Sequence, residues 1–475
     1  MTNSATIAAI ATPAGSGGIG IIKISGKDAL TIAASVFRKS CGRTPNSEPR
    51  TPNVFESHRL YHGYVVNPEN GRVLDEILLA VMVAPYSYTR EDVVEIHAHS
   101  GPAVLTAILN LVLKHGARLA DPGEFTKRAY LSGRIDLTQA EAVIDIINAK
   151  TEKSLDIATA QIRGNIKAHI ESVRDSLFHI LAETEAAIDF PEDVEETIDT
   201  DSAVEVIQNQ VVDKLNKLIK QYENAHFLRD GLKVLIAGRP NVGKSSLMNC
   251  LLRKDRAIVT PIPGTTRDFI EETLNIRGIP VTITDTAGLH ETDDPVEILG
   301  IKKAYEYIED ADLILFMTDL SQPLTPDDHE IYEKISHKNF ILVANKADLV
   351  EEKFEPDIPD AWKLPISPEL RKPEIIKTSV RYDRGVDALR DLIAAVSMGG
   401  YDDKNTIIPN LRHKLALERG LQAASSAASG IQNGTPFELI SMDIQESLDS
   451  LGEILGITIR EDILDQIFSR FCIGK

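Results

Sequence analysis

The chain has 475 residues, more than a single hydrophobic core accommodates, so about three domains are expected. Hydrophobic residues make up 43%, enough for packed structure throughout, and a net charge of −20 excludes indiscriminate adhesion to nucleic acid or anionic membrane, so any polyanionic substrate must meet a local basic patch. Three scattered cysteines (Cys41, Cys250, Cys472), no basic segment followed by an apolar core at the start, and no membrane-length apolar run lead to the expectation of a cytoplasmic, soluble protein with no disulfide framework.

Residues 1–121 read as a first domain. Thr6 to Thr12 and Ile19 to Ile24 are β-prone runs separated by Pro13-Ala14-Gly15-Ser16-Gly17-Gly18. Gly15, Gly17 and Gly20 satisfy G-x-G-x-x-G, but a dinucleotide site needs a helix after the glycines. Here Ile21-Ile22-Lys23-Ile24 continues as strand, so a turn between strands is expected. Strands at Asp75 to Val83 and Asp92 to His97, joined through Pro85-Tyr86-Ser87-Tyr88-Thr89, and a helix at Pro102 to Lys114 complete a small α+β domain. His97 and His99 share a strand face but have no third ligand at informative spacing, so they read as hydrogen-bonded or pocket-lining.

Helical character begins near Gly123. Thr138-Gln139-Ala140-Glu141 has the form of a capping box. Leu155, Ala158, Ile162, Ile166, Ile170, Val173, Leu177, Leu181 and Ala187 then recur at three- and four-residue steps, and a further helix runs from Ala203 to Tyr222. These stripes need partners, and the later segments Leu411 to Ala428, Phe437 to Leu455 and Asp462 to Phe468 supply them. The pattern predicts a discontinuous helical-bundle domain, residues 122–228 and 397–475, interrupted by an inserted domain at 229–396.

The insert carries the strongest motif. Gly238-Arg239-Pro240-Asn241-Val242-Gly243-Lys244-Ser245-Ser246 matches G-x-x-x-x-G-K-[ST] between a strand run (Leu232 to Ala237) and a helix start (Ser246 to Leu252). Loop amides and the helix N-terminus suit phosphate oxygens, Lys244 reaches the outer phosphates, and the Ser245 hydroxyl ligands Mg²⁺. Further strands at Val281 to Thr284, Leu313 to Met317, Phe340 to Ala344 and Ile375 to Thr378 alternate with helices, giving a doubly wound α/β P-loop domain.

Three more motifs follow in GTPase order. Asp285-Thr286-Ala287-Gly288 ends a strand, placing its Asp toward Mg²⁺ and its Gly N–H toward the γ-phosphate. Asn345-Lys346-Ala347-Asp348 ends another, and the Asp348 carboxylate accepts two hydrogen bonds from guanine that adenine cannot offer. Ser379-Val380-Arg381 completes the base pocket. Thr265 and Thr266 stand where a switch threonine closes over Mg²⁺ and the γ-phosphate. Leu289 follows the D-x-x-G, where many GTPases carry a water-orienting glutamine, so another group must place the water. Asn241 offers a carbonyl for a monovalent cation in the position of an arginine finger.

The P-loop with Asn241, Pro263-Gly264-Thr265-Thr266-Arg267-Asp268, Gly123-Glu124-Phe125-Thr126, Asp136-Leu137-Thr138-Gln139-Ala140-Glu141-Ala142 and Phe471-Cys472-Ile473-Gly474-Lys475 together resemble the MnmE (TrmE) tRNA modification GTPases over essentially the whole chain. The resemblance implies an N-terminal domain similar to folate-dependent one-carbon enzymes that forms the homodimer and binds 5-formyltetrahydrofolate. It also implies G domains that pair across K⁺ to hydrolyse GTP, and work with the flavoprotein MnmG, in a heterotetramer, to place an aminomethyl-type group on the wobble uridine of certain tRNAs.

Carried over by residue, it implies GTP contacts from Asn241, Val242, Gly243, Lys244, Ser245, Ser246, Thr260, Pro261, Ile262, Pro263, Gly264, Thr265, Thr266, Asp285, Thr286, Ala287, Gly288, Asn345, Lys346, Ala347, Asp348, Ser379, Val380 and Arg381. Mg²⁺ falls to Ser245 and Thr266, and K⁺ to Asn241, Thr260, Ile262 and Thr265. Glu297 orients the attacking water beside Asn241 and Lys244, while Lys23, Glu95, Arg134 and Lys475 serve the folate. The tail is expected to reach the folate site across a dimer. The chain departs from the family pattern at Lys23, where arginine is common, at Arg90, where glycine is usual, and at His290, where arginine often stands.

Cys472 is fourth from the end, but Gly474 and Lys475 do not fit a prenylation box. A small buried hydrophobe and, from the resemblance, a role in the modification site are the two readings of it. Two other function classes stay open: an RNA-binding ribosome-assembly or signalling GTPase without modification activity, and a folate one-carbon enzyme with a regulatory G domain. Coupling of GTP turnover to a modified nucleoside separates the first, and activity without GTP the second.

Overall fold

The computed structural model describes residues 5–13, 15, 17–40, 55–190, 199–255, 272–285, 306–351, 354–355, 357–359, 362, 375–397 and 407–475. It divides into two compact units, residues 1–144 with 449–475, and residues 145–448.

In the first unit the strands are β1 (Ile7–Ile10), β2 (Gly20–Ser25), β3 (Phe37–Lys39), β4 (Arg59–Val66), β5 (Val73–Met82), β6 (Val93–Ala98) and β7 (Arg118–Leu119). They form one sheet in the order β3-β4-β5-β6-β2-β1-β7. β1 and β2 pair antiparallel, with Ile7 opposite Ser25, so the glycine-rich segment joins two strands and no helix follows it. Strand alternation then sorts the side chains. Ala8, Ile22, Ile24, Val94 and Ile96 face the helices α1 (Ala29–Val36) and α2 (Pro102–Lys114), whose Ile32, Val36, Leu105, Ile108 and Val112 complete the main core. The opposite register positions put Lys23 across from Glu95 and Ala9, on the face where Ile7, Ala9, Ala120 and Phe125 make a smaller cluster. A charged pair is thus held beside an apolar floor.

The helices α3 (Glu124–Leu131) and α4 (Leu137–Asn148) follow. The cap of α4 lies two residues before the expected box. Asp136 accepts from Gln139 N–H, while the Gln139 side chain accepts from Asp136 N–H. Thr138 and Glu141 are instead buried inside the helix. Leu137 and Ala140 pack with Leu464, Phe468 and Phe471, from the helix Glu461–Phe468 and the tail after it.

The second unit contains helices Glu152–Ile162 and Asn165–Asp189, and a run Thr200–Val206, Ile207–Val212, Asp213–Ala225 whose middle segment is π-helical. The stripe Ile166, Ile170, Val173, Leu177, Leu181 and Ala187 is buried as its period predicts. Leu155 is not, since the first helix buries Ser154, Ile157, Ala158 and Gln161 and leaves Leu155 43% exposed.

The inserted P-loop domain has β8 (Leu232–Gly238), β9 (Glu272–Ile276), β10 (Ile279–Asp285), β11 (Leu313–Asp319), β12 (Phe340–Asn345) and β13 (Ile376–Lys377), in the order β13-β12-β11-β8-β10-β9. All neighbours are parallel except the edge pair β9 and β10. The order reverses between β8 and β11, the crevice where open α/β sheets take ligands. Chain order and sheets together make an α+β N-terminal domain, a helical domain and an inserted doubly wound P-loop domain.

Candidate functional site

The loop after β8 runs into the helix Lys244–Asp255 and is shaped by positions only glycine tolerates. Gly238 (φ +151) lies so close to β11 that a Cβ would sit 2.4 Å from Met317 O, and at Gly243 (φ +107) a Cβ would sit 2.4 Å from Asn345 Nδ2. Asn241 holds φ +64 between them. Lys244 is 6% exposed, and its ammonium donates to Gly238 O at 2.9 Å and Arg239 O at 3.0 Å. A buried cation is thereby folded back on the loop it serves. Ser245 is exposed at the first turn of the helix.

Two neighbouring strand ends complete a cleft of about 850 Å³ lined by Asn241, Gly243, Ser246, Asn345, Lys346, Asp348, Val380 and Arg381 among others. Asn345 knits three segments together. Its amide donates to Val242 O at 2.8 Å, and its carbonyl accepts from Thr378 Oγ1 and Val380 N–H, each at 3.2 Å. Asp348 accepts from the Ser379 hydroxyl, which fixes the carboxylate on the wall of the cleft. Lys346, at φ +64, donates to Asp319 Oδ2 at 2.7 Å. Burial pushes the Asp319 carboxyl upward, but the bonds from Lys346 and Ser321 outweigh it and hold the group below the ordinary range.

The structure brings together Asn241, Val242, Gly243, Lys244, Ser246, Asn345, Lys346, Asp348, Val380 and Arg381. Asp285 ends β10, directly beside β8 in the sheet. Thr260, Pro261, Ile262, Pro263, Gly264, Thr265, Thr266, Thr286, Ala287, Gly288, Leu289, His290 and Glu297 lie outside the described residues, as does Cys41.

A second constellation occupies the N-terminal unit. Lys23 Nζ lies 3.7 Å from Glu95 Oε1 and over two rings, 5.6 Å from the centroid of Tyr88 and 5.4 Å from that of Phe125. Burial pulls the Lys23 ammonium below its ordinary 10.5, Glu95 works against that shift, and the Lys475 charge adds to it. Arg134 stacks on Tyr88 with its guanidinium carbon 4.7 Å from the ring centroid, and donates to Tyr88 O at 3.1 Å. The Tyr88 hydroxyl meets Thr126 Oγ1 at 3.0 Å, and burial pushes its phenol up.

Each residue of Gly123-Glu124-Phe125-Thr126 has a duty here. Gly123 (φ +67) has no room for a Cβ beside Phe468 O, Glu124 takes Arg118 and Arg128, and Phe125 N–H donates to the main-chain oxygen of Lys475 at 3.1 Å. The tail therefore docks on the N-terminal domain of its own chain, where the sequence reading expected it to cross a dimer. Gly474 lets it do so, packed on Ile10 and Ala11. Cys472 is exposed, which removes the buried-hydrophobe reading.

Arg90, at φ +60, donates to Ser132 O at 2.9 Å, two residues before Arg134. His97 and His99 each meet a carboxylate, Glu95 at 3.2 Å and Asp75 at 2.7 Å. Sequence reasoning missed Tyr88 as the shared ring, and missed Asn249, Cys250 and Arg253 on the cleft wall. A signal for the latter existed. With Ser246 they fall at i, i+3, i+4 and i+7, one face of the helix leaving the P-loop. No comparable spacing marks Tyr88, which lies in an irregular connection.

Residues 6–134 match the family described as the GTP-binding protein TrmE N-terminus, and residues 137–472 the MnmE helical domain. The chain is 45% identical over 472 residues to the tRNA modification GTPase MnmE of Syntrophus aciditrophicus, 43% over 472 to that of Acetivibrio thermocellus and 44% over 474 to that of Carboxydothermus hydrogenoformans. In each case 99% of this chain and 99% of the relative are covered. With phosphate loop, base-pocket motifs, N-terminal domain and tail accounted for over one continuous likeness, the chain belongs to the MnmE family of tRNA modification GTPases.

Proposed function

We propose that this protein is a K⁺-dependent GTPase that acts with the flavoprotein MnmG in the aminomethyl-type modification of the wobble uridine of certain tRNAs, using a folate one-carbon unit. The observation that carries the reading is the gathering of Lys23, Tyr88, Arg134 and the docked tail in the N-terminal unit of a chain that also holds a complete phosphate loop and base pocket. A GTPase serving only as a switch has no use for such a cluster.

In the nucleotide site, Lys244 is poised to exchange its two loop carbonyls for phosphate oxygens, while Asp348 and the Ser379-Val380-Arg381 backbone hold the guanine. Ser245 with Thr266 would hold Mg²⁺, and Asn241 with Thr260, Ile262 and Thr265 would hold K⁺. The exposed Ser245 hydroxyl and the cleft-lining Asn241 carbonyl are oxygen donors of the kind both hard cations need. Bound there, the two cations supply positive charge against the charge that develops on the phosphates. Glu297 orients the water that Leu289 cannot.

In the N-terminal unit, Lys23, Arg134 and Lys475 suit the carboxylates of 5-formyltetrahydrofolate or a related tetrahydrofolate, with Tyr88 offering a ring face and Glu95 an acceptor. The group carries the one-carbon unit when bound. The exposed Cys472 lies in the same tail. The protein acts as a homodimer joined through its N-terminal domains with pairing of the G domains, in a cytoplasmic heterotetramer with MnmG. No helix among the described residues is long and apolar enough to cross a membrane. The test is nucleoside analysis of tRNA from cells lacking this protein and from cells complemented with Lys23→Ala or Lys244→Ala. The modified wobble uridine should be lost in the deletion and in both variants, and its persistence in the deletion strain refutes the reading.

A further inference from the structure

Arg239, an unspecified position of the P-loop pattern, reaches away from the cleft to Asp328, where its Nε donates to Oδ1 at 2.8 Å. Asp328 is fully buried. It belongs to none of the four GTPase motifs and stands in the first turn of the helix Pro326–Ile335. There its Oδ2 also accepts from Thr325 N–H at 2.9 Å and Thr325 Oγ1 at 3.0 Å, closing the cap of that helix. The carboxylate is therefore rigid, charged and aligned with the helix N-terminus, a fixed post rather than a flexible partner.

What the post holds is the first half of the phosphate loop. The loop contains three residues with positive φ, Gly238, Asn241 and Gly243, and a backbone of that kind keeps its shape only if its surroundings over-determine it. Its second half is pinned by Asn345 on Val242 O, a bond within the recognised motifs. Its first half, Gly238 and Arg239, presents the carbonyls on which Lys244 rests, and the Arg239 side chain ties that half to Asp328.

We propose that Asp328 is a positioning residue for phosphate binding, acting through Arg239 to hold the loop and Lys244 in the geometry that accepts the nucleotide. Asp328→Asn keeps an oxygen for the Thr325 cap but removes the charge. In the full chain it should weaken GDP and GTP binding by about tenfold, read with a fluorescent guanine nucleotide, with the steady-state effect falling on KM more than on kcat. Arg239→Gln should do the same from the other end. The double variant should be no worse than either single, because both remove one interaction. Arg239→Lys, which keeps the charge, should recover part of the loss. If either single variant binds nucleotide as tightly as the parent while its melting temperature falls, the pair is structural and the proposal fails. Additive losses in the double variant overturn it as well. Arg239→Lys keeps both the Thr325 cap bonds and a cation beside the buried Asp328, so its nucleotide affinity, lower than the parent's if the proposal holds and equal to it if the proposal fails, carries the test should Asp328→Asn or Arg239→Gln fold poorly.

Discussion

Gly474→Ala isolates the role of the tail. Gly474 is buried at φ +97, and a Cβ there would stand 2.5 Å from Ile10 O and 2.8 Å from Ala11 Cα, both backbone atoms of a strand end that cannot swing aside. The left-handed backbone alone costs a non-glycine residue about 1–2 kcal/mol. Relieving the clash lifts the last residues and breaks the bonds Phe125 N–H to Lys475 O at 3.1 Å and Gly123 N–H to Cys472 O at 3.4 Å, roughly 1 kcal/mol each. Those bonds hold the docked form and the strain works against them, so a strain of about 2 kcal/mol shifts the docked tail roughly thirtyfold toward the lifted state. Hydrogen exchange at the Phe125 amide should accelerate accordingly, calorimetric binding of 5-formyltetrahydrofolate should weaken, and tRNA modification should fall while intrinsic GTP hydrolysis stays largely intact. Deleting Phe471 to Lys475 should give the same functional pattern less cleanly. Phe471 is 5% exposed in the cluster with Leu137, Leu464 and Phe468, so its loss adds a cavity cost of about 3–5 kcal/mol. Unchanged folate binding and tRNA modification in a Gly474→Ala protein whose Phe125 amide exchanges fast would refute the reasoning, since the tail would then be lifted without consequence.

GTP hydrolysis should be much faster in K⁺ than in Na⁺, and Asn241→Lys should abolish the difference; equal rates for the parent in both salts rule out the K⁺ site. Asp348→Asn should lose GTP affinity and gain affinity for XTP, because an amide donates where the carboxylate accepts, and unchanged GTP binding would remove Asp348 from the base pocket. Lys23 gives a pH signature. Its folded-state pKa lies below the unfolded 10.5, so between the two the unfolded chain binds more protons, and stability rises with pH through that window. Thermal melts in the alkaline range should show this rise in the parent and a flatter profile in Lys23→Met. An identical slope in both proteins would mean that burial leaves Lys23 unperturbed.

Much of the architecture is local information and was therefore legible. The P-loop, Asp285 at a strand end and Asn345 to Asp348 at the next are sequence-contiguous motifs, and β8, β10, β11, β12 and β13 fall on the apolar runs that announced them. The stripe from Ile166 to Ala187 was readable because helical periodicity survives in any helix that buries one face. The cap of α4 differs from the expected one because Thr138 and Glu141 have the right spacing for a box, whereas Asp136 caps the Gln139 N–H and starts the helix two residues earlier, which leaves Thr138 inside it. Leu155 was misassigned because a hydrophobic residue can continue a period and still face outward at a helix end.

By itself, then, the amino-acid order determined the domain types, the insertion and where each contiguous motif sits on its strand or loop, since these depend on interactions between residues a few positions apart. Only the tertiary structure decided which distant segments meet. Lys23, Tyr88, Phe125, Arg134 and Lys475 converge through sheet register and a docked tail, and Arg239 finds Asp328 across 89 positions. Such pairings carry no periodic or local trace, because long-range contacts are selected by the packing of whole faces, and a single side chain such as Asp328 or Gly474 shows its purpose only once the surface opposite it is in place.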